Sequence, residues 1–337
     1  MSELNQTEGL PKIRLAVSNC LLGVKCRYNG GHAQDDFLTD RLAKFVELIP
    51  FCPEDAAMGT PRESVRLCEV DQQIRVLGGR SGTDYTDGLV DYNRKMIDRL
   101  VKKQIDGALV KAKSPSCGLD RIKIYKPTGE WLGSEKGIGQ GLFTQALQQK
   151  MPHIALEDEG RLFDPWLREN FVLQLFSLAR WRTFISQPQS VKNFQVFHRR
   201  HKFLLLSKNE ALYRQMGPIV AQTTSQNWEE STERYQDLFW RVLASKTQRS
   251  AMINVLDHLY GYVKSQVSDY QKNLYLESLE EFREGIIPLI ALMKLLRHWV
   301  VEFKVDYLSD QWIFDPYPAE LALRSEINAF KNLDKRG

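Results

Sequence analysis

Three stretches of sequence decide the fold of the first half of the chain: IRLAVSNC (13–20), VELIPFC (46–52) and GALVKAKSPSC (107–117). Each opens with a short apolar run of the length of a buried strand and continues into loop-forming residues. Helical stretches near residues 38–47 and 88–104 lie between them. Because strands that alternate with helices form parallel sheets, we predict an α/β N-terminal domain with a Rossmann-like, mostly parallel sheet.

The sequence beyond the third stretch completes this domain. IKIYKPTGEWLG (122–133) indicates a hairpin or an irregular excursion, because proline and glycine interrupt its β-type residues. GQGLFTQALQQK (139–150) then predicts a helix, and HIALE (153–157) predicts a last strand. The α/β unit is therefore expected to end near residue 155.

After residue 164 the pattern changes to long runs with apolar residues at helical spacing, which predict an all-α helical domain. A polar, proline-containing segment, SQPQSVKN (186–193), suits a linker. We therefore expect the α/β domain over residues 12–160, a connecting helix and linker over 161–192, and the helical domain over 193–330.

Composition restricts the compartment and the partners. The chain has 337 residues, of which 43% are hydrophobic, enough for two cores, and a net charge of only +4 argues against a dedicated nucleic-acid surface. The first residues lack the basic start and apolar stretch of a secretory signal, and no apolar run is long enough to span a membrane. We expect a cytoplasmic protein with no membrane partner, in which thiols serve as metal ligands, nucleophiles or core residues rather than as disulfides.

Three of the five cysteines lie just beyond the carboxyl end of a predicted strand: Cys20, Cys52 and Cys117. In an open parallel sheet this edge is where loops converge and ligands bind, so thiols distant in sequence can meet there. Proline or glycine stands close to each of them, as tight wrapping around a metal centre requires. No CxxC pair is present, which argues against a zinc ribbon or a thioredoxin-type site. These cysteines are therefore candidates for a shared metal site.

The motifs around these cysteines resemble those of the DUF523 family, whose characterised members are thiouracil desulfidases. They occur in the family's order: SNCLLGVKCRYNGG (18–31), CPED (52–55), GTPRE (59–63), DYT (84–86), KSPSCG (113–118) and GQGLFTQA (139–146). The second half resembles the DUF1722 domain through four other motifs: FHRRHKFLLLS (197–207), HLYGYVK (258–264), FREGIIPLIALMKLL (282–296) and PYPAELALR (316–324).

The resemblance implies an enzyme that contains an iron–sulfur cluster. It makes Cys20, Cys52 and Cys117 the ligands of a [4Fe-4S] cluster, with Glu54 and Ser114 as catalytic side chains. The implied reaction is hydrolysis of a thiolated pyrimidine, a thiouracil or 4-thiouridine derivative, with release of sulfide. The resemblance leaves out Cys26 and Cys68, which are expected to be core or surface thiols.

Glycines ahead of the predicted helix at 139–150 are candidates for substrate binding. Backbone amides of Gly137, Gly139 and Gly141 suit a phosphate, and Gly139 and Gly141 are the predicted substrate-binding residues. The lysine and hydroxyl of a P-loop are absent, and glycine clusters are common in turns, so these glycines also fit a simple turn.

Two other functions fit the same sequence. A cysteine persulfide sulfurtransferase would use Cys117 as a nucleophile without metal and would be colourless. A zinc-stabilised nucleic-acid-binding adaptor would use the helical half, where HRRHK (198–202) forms a basic run. The expected partner is a small thiolated nucleobase or nucleotide; nucleic-acid contact lacks support from the charge balance, and the sequence does not set the oligomeric state.

Overall fold

The three stretches that decide the fold form neighbouring strands in the computed structural model, which describes residues 11–187 and 190–325. The chain divides into two compact units, Lys12–Phe163 and a second that begins at Asp164. The strands of the first unit are β1 (Ile13–Ser18), β2 (Val46–Phe51), β3 (Val65–Val70), β4 (Gln73–Gly78), β5 (Gly107–Val110), β6 (Ile122–Tyr125), β7 (Ile138–Gly139) and β8 (Ala155–Asp158). Its helices are α1 (Pro53–Met58), α2 (Thr86–Lys102), α3 (Gly133–Lys136) and α4 (Leu142–Lys150).

The first sheet confirms the predicted α/β fold. Its strands run in the order β2-β1-β5-β8, and every neighbouring pair is parallel. The apolar runs at 13–18 and 46–51 coincide with β1 and β2. Since all these strands point the same way, the residues that follow β1, β2 and β5 emerge at one edge of the sheet.

Helices α2 and α4 pack on the core of this sheet. Phe51, the last residue of β2, stacks on Phe143 of α4 with ring centroids 4.2 Å apart. Met96 and Leu100 of α2 are buried in the same cluster. The cluster extends to Cys117, so the loop after β5 rests on a packed apolar floor.

A second sheet, in the order β4-β3-β6-β7, contains a hairpin that the sequence analysis did not predict. Strands β3 and β4 pair antiparallel from Val65↔Gly78 to Val70↔Gln73. Their turn places Asp71 and Gln72 at φ of 50° and 62°, positions where glycine or asparagine normally gives the signal for a tight hairpin. The predicted hairpin or excursion at 122–133 contributes β6 and an isolated bridge between Tyr125 and Trp131.

The helix predicted near 38–47 is not a regular α-helix. A π-helical turn over Phe37–Arg41 is followed by a 3₁₀ turn over Leu42–Phe45, which runs directly into β2. The predicted helix overlapped the start of β2, because the apolar residues between 45 and 49 fit both the helical period of 3.6 residues and the strand period of two.

The second unit is helical, as predicted. Its helices are α5 (Pro165–Ile185), α6 (Val191–Lys208), α7 (Glu210–Gln222), α8 (Trp228–Ala244), α9 (Arg249–Gly261), α10 (Asp269–Glu284), α11 (Leu289–Glu302) and α12 (Asp306–Ser309). Asp164 caps α5 by accepting from the backbone amides of Trp166 and Leu167. Helix α5, which the sequence analysis treats as a connecting helix, clusters with this second unit. Within the described ranges, no helix combines the length and the apolarity needed to cross a membrane.

Buried polar contacts tie the last described segment of the chain to α5. Glu169 pairs with Arg324 at 2.9 Å and accepts from the Tyr317 hydroxyl at 2.8 Å. The Arg180 guanidinium lies 3.9 Å from the centre of the Trp312 ring and donates to the Pro316 carbonyl at 2.5 Å. Helix α5 and the last described segment are therefore held to each other by directional polar bonds as well as by apolar packing.

A buried lysine of α6 is expected to make the stability of the helical unit depend on pH. Lys208 Nζ donates to Asn170 Oδ1 and to the Ser245 carbonyl, both at 2.9 Å, and burial lowers the pKa of Lys208 from 10.5 to about 7. Above about pH 7 the folded chain therefore holds a neutral amine, while the unfolded chain remains protonated. Because the unfolded state then binds more protons, this lysine contributes stability that rises with pH.

Comparison with Lys208→Met isolates this contribution. We expect the unfolding free energy of the unchanged protein, relative to the variant, to rise by about 1 kcal/mol per pH unit between about pH 7 and pH 9. Urea denaturation of both proteins at each pH measures it. A difference that stays constant over this range would contradict the prediction.

Candidate active site

A cavity of about 320 Å³ opens where β1, β2 and β5 end. Four cysteines line it: Cys20, Cys26, Cys52 and Cys117. The structure thus brings together the three cysteines that the sequence places after strands, and it adds Cys26 to them. Glu54 and Ser114 line the same cavity. Cys68 does not take part, because it is buried on β3 in the second sheet.

Cys20 and Cys52 are positioned by the helical turns that follow their strands. Cys20 belongs to a 3₁₀ turn directly after β1, and Gly23 ends that turn at φ 86°, where a side chain would be strained. Cys52 is the N-cap of α1, and its Sγ accepts from the Asp55 amide at 3.4 Å. Pro53 starts this helix at the position where its missing amide costs nothing.

Cys117 lies in a loop that is fixed from several sides. Its amide donates to Ser114 Oγ at 3.3 Å, its carbonyl accepts from Thr144 Oγ1 at 2.7 Å, and its Sγ lies 3.5 Å from Ser18 Oγ. Gly141 is pressed against the same loop, since a Cβ there would come within 2.6 Å of the Cys117 nitrogen. Backbone packing at this distance requires glycine.

Glu54 accepts hydrogen bonds from two serines of the third loop. Its Oε1 accepts from Ser114 Oγ at 2.9 Å and from Ser116 Oγ at 2.7 Å. Ser114 Oγ in turn accepts from the amides of Ser116 and Cys117, both at 3.3 Å. The two side chains named as catalytic by the resemblance are therefore in direct contact, and Ser116 joins them.

Arg62 completes this network, and the sequence analysis gave it no role. Its Nη2 pairs with Glu54 Oε2 at 2.8 Å, and only 5% of the Arg62 side chain is exposed. Its Nη1 donates to three more acceptors, at 3.0–3.1 Å: the Cys26 carbonyl, the Gly59 carbonyl and the Thr60 hydroxyl. One guanidinium thus fixes the carboxylate relative to the loop that carries Cys26.

Burial makes the cavity thiols weak acids. It raises the pKa of Cys20 to about 12, and the nearby Cys117 and Cys26 thiols add to the increase. Burial likewise raises the pKa of Cys52 and that of Cys117. These thiols are neutral near pH 7, so they would have to lose their protons in order to bind a metal.

The chemistry of the donor set suits an iron–sulfur cluster, because thiolates are the usual ligands of such clusters. Four cysteines line the cavity, and each thiolate would bind a different iron. In the described part of the chain, no group of three His, Cys, Asp or Glu side chains is already arranged to hold a metal ion. The ligand roles of Cys20, Cys52 and Cys117 remain a prediction.

The predicted substrate-binding glycines lie outside the cavity lining. Gly139 pairs with Ile122 in the second sheet, and the Gly141 amide donates to the Gly118 carbonyl at 2.9 Å. Gly141 therefore packs against the backbone of the Cys117 loop and does not line the cavity. A role for either glycine in substrate binding remains a prediction.

The basic run of the helical unit is partly buried. His201 is fully buried, and its Nδ1 lies 2.8 Å from the Phe197 carbonyl. Burial lowers the pKa of His198 to about 4, so this side chain is neutral near pH 7. Arg199 pairs with Asp310. The run contributes less positive charge to the surface than its sequence indicates.

Gly141→Ala is expected to displace the Cys117 loop. The added methyl group would overlap backbone atoms of Ser116, Cys117 and Gly118, which cannot move without shifting the loop. We expect a loss of about 1–3 kcal/mol in stability and reduced iron uptake after anaerobic reconstitution. Gly88→Ala in α2 is the control, since its methyl would meet only Ala57 Cβ at 3.8 Å. Equal iron uptake by the two variants would refute the prediction.

Comparison with known proteins identifies relatives for both units. A solved structure titled [4Fe-4S]-dependent thiouracil desulfidase TudS is 30% identical, covers 45% of this chain and 93% of its own, and gives a TM-score of 0.36. YbbK of Bacillus subtilis strain 168, described as uncharacterized, is 29% identical over 151 residues, which are 43% of this chain and 96% of YbbK. YbgA of Escherichia coli strain K12, also described as uncharacterized, is 26% identical over 129 residues, which are 38% of this chain and 76% of YbgA.

Two family descriptions match successive parts of the chain. Residues 15–159 match 2-thiouracil desulfurase, and residues 202–318 match DUF1722, described as a protein of unknown function. Both matches confirm the resemblances that the motifs indicated. The chain therefore joins a domain of the 2-thiouracil desulfurase family to a domain of the DUF1722 family.

Proposed function

We propose that the N-terminal domain is a [4Fe-4S]-dependent desulfidase that hydrolyses a thiolated pyrimidine and releases sulfide. Cys20, Cys52 and Cys117 would hold the cluster, and Glu54 and Ser114 would act on the substrate. The substrate would be a small thiouracil or 4-thiouridine derivative. The family match supports the desulfidation reaction.

One observation carries the proposal: the ends of three adjacent parallel strands deliver three thiols to the cavity that also holds the Glu54–Ser114 pair. Cysteine thiols, which are soft metal ligands, are seldom placed beside a carboxylate that can exchange protons for the sake of packing alone. The cavity is within the size range of small-molecule sites, and a pyrimidine fits such a volume.

A cluster held by three cysteines would supply an open iron, a Lewis acid for the exocyclic sulfur of the substrate. The protein's own residues would handle the proton. Glu54 would take the proton of the attacking water directly as the general base, and Ser114 Oγ, which donates to this carboxylate, would keep it in place. Arg62 holds the carboxylate in this position, and the two amides that donate to Ser114 Oγ fix the hydroxyl. Water activated in this way would replace sulfur on the ring carbon without electron transfer.

The test is anaerobic purification followed by iron and sulfide analysis and by incubation with 2-thiouracil, 4-thiouracil and 4-thiouridine monophosphate. We expect a brown protein with about four irons per chain that releases sulfide. A colourless protein after cluster reconstitution would overturn the cluster assignment.

The same experiment separates the alternatives. A metal-free sulfurtransferase needs a reactive thiolate, whereas burial raises the pKa of Cys117. An iron-free protein with one fast-alkylating thiol would nevertheless favour it. Zinc content, together with salt-dependent binding of nucleic acid, would favour the adaptor.

A further inference from the structure

The proposed mechanism gives no role to Ser18, a buried serine of the cavity. Ser18 is the last residue of β1, it is only 2% exposed, and it lines the cavity. A buried hydroxyl needs hydrogen-bond partners within the protein, because it loses those that water would supply. Ser18 Oγ has two such partners: the Lys111 amide at 3.1 Å and Cys117 Sγ at 3.5 Å. One of its contacts is therefore with a predicted cluster ligand.

The Lys111 amide determines which way the Ser18 hydroxyl points. An amide nitrogen can only donate, so Ser18 Oγ accepts this hydrogen bond, and its single proton remains for another acceptor. Strands β1 and β5 pair in parallel, so Ser18 and Lys111 stand side by side where the two strands end. The backbone of β5 thus leaves the hydroxyl proton available to Cys117 Sγ.

Glu159 holds the Lys111 backbone in place. Its carboxylate pairs with Lys111 Nζ, and its Oε2 accepts from the Ala112 amide at 2.7 Å. The side chains of Lys111 and Glu159 are 22% and 12% exposed, so water competes little for these bonds. The amide that orients the Ser18 hydroxyl is therefore fixed from the loop after β8.

Loss of the thiol proton decides the direction of the hydrogen bond between Ser18 and Cys117. Between a hydroxyl and a thiol, either atom could donate. Cysteine binds iron as a thiolate, which has no proton and can only accept. Ser18 is therefore the donor once Cys117 is a ligand. Such a bond draws electron density from the sulfur, and hydrogen bonds to sulfur are among the features that set the reduction potential of an iron–sulfur cluster.

We propose that Ser18 is a positioning residue that donates a hydrogen bond to the Cys117 thiolate and thereby raises the reduction potential of the cluster. The inference rests on the proposed function, because it needs a cluster that Cys117 ligates. With less electron density on the ligand sulfur, the cluster is a stronger Lewis acid, which favours binding of a substrate sulfur.

The test measures the reduction potential of the anaerobically purified, cluster-loaded protein by redox titration followed with electron paramagnetic resonance. We expect Ser18→Ala to keep its full iron content and to shift the potential to a more negative value, because the thiolate loses its donor. Sulfide release should fall about tenfold, the order of one hydrogen bond to a charged group. Ser207→Ala is the matched control, since Ser207 is a buried serine of α6 whose hydroxyl donates to the Leu204 carbonyl.

A second pair of variants covers a folding defect in the alanine variant. Ser18→Thr keeps the hydroxyl, and Ser18→Val has nearly the same shape without it, so the two differ only in the donor. We expect the threonine variant to have the higher potential.

Equal potentials in the threonine and valine variants would overturn the proposal and leave the desulfidase function standing. A Ser18→Ala variant that loses stability but keeps the potential would do the same, because its role would be merely structural. An unchanged protein that takes up no iron after reconstitution would overturn the cluster and, with it, both proposals.

Discussion

Glu54→Gln is expected to lower the rate of sulfide release about 10²- to 10⁴-fold, the range of a lost general base. Glutamine has nearly the shape of glutamate and can still accept from Ser114 and Ser116, but its amide cannot take up the proton of the attacking water. Because the substitution removes no thiol, iron content and colour should be unchanged. Turnover measured against iron content therefore separates catalysis from cluster binding.

Two controls make this result specific. Glu69→Gln, at an exposed position of β3, should leave sulfide release unchanged. Arg62→Lys keeps the charge beside Glu54 but cannot reproduce the forked set of bonds, so its rate should fall between that of the unchanged protein and that of Glu54→Gln. If Glu54→Gln keeps full activity with a full complement of iron, the proposed role of Glu54 is wrong.

Glu169→Ala is expected to destabilise the helical unit by about 3–5 kcal/mol, the cost of leaving one member of a buried ion pair unpaired. The side chains of Glu169 and Arg324 are only 6% and 5% exposed, so water cannot replace the lost carboxylate. The substitution also removes the acceptor of the Tyr317 hydroxyl, which is buried too. Urea denaturation of the full chain, followed by far-UV circular dichroism, measures the loss.

Glu210→Ala serves as the matched control on another helix of the same unit. Glu210 pairs with Arg214 on the surface of α7, where the two side chains are 42% and 75% exposed. An exposed pair of this spacing contributes only about 0.3–0.5 kcal/mol. Similar losses of stability in the two variants would contradict the prediction, because they would show that burial does not increase the contribution of the Glu169–Arg324 pair.

The strands and the cysteine positions were readable from the sequence for one physical reason. Buried parallel strands are continuous apolar runs, and their carboxyl ends share one edge, so the positions of Cys20, Cys52 and Cys117 after such runs already predict that they meet. The hairpin of β3 and β4 has a different pattern, because its strands mix charged and apolar residues as half-buried strands do. It was missed because its turn uses Asp71 and Gln72 instead of glycine.

The network around Glu54 could not be derived from the sequence. Arg62 lies in the GTPRE motif, and Ser116 lies in the SPSCG motif, but a motif does not reveal which of its side chains turn inward. That information comes from loop geometry, since Arg62 reaches Glu54 across eight residues and Ser116 reaches it across sixty-two. Cys26 is a similar case. Its distance from any strand end removed the one argument that identified the other three cysteines.

The ties between α5 and the segment around Trp312, Pro316 and Arg324 also bear on the order in which the chain can fold during synthesis. Domains usually fold as units as they leave the ribosome, the N-terminal one first. Every strand of the α/β unit precedes Asp164, so that unit can complete its sheets early. Helix α5 emerges next, but its partners for Glu169 and Arg180 are translated more than one hundred residues later. Until then the buried polar groups of α5 have no partners from this segment, so the helical unit completes these bonds only late in synthesis.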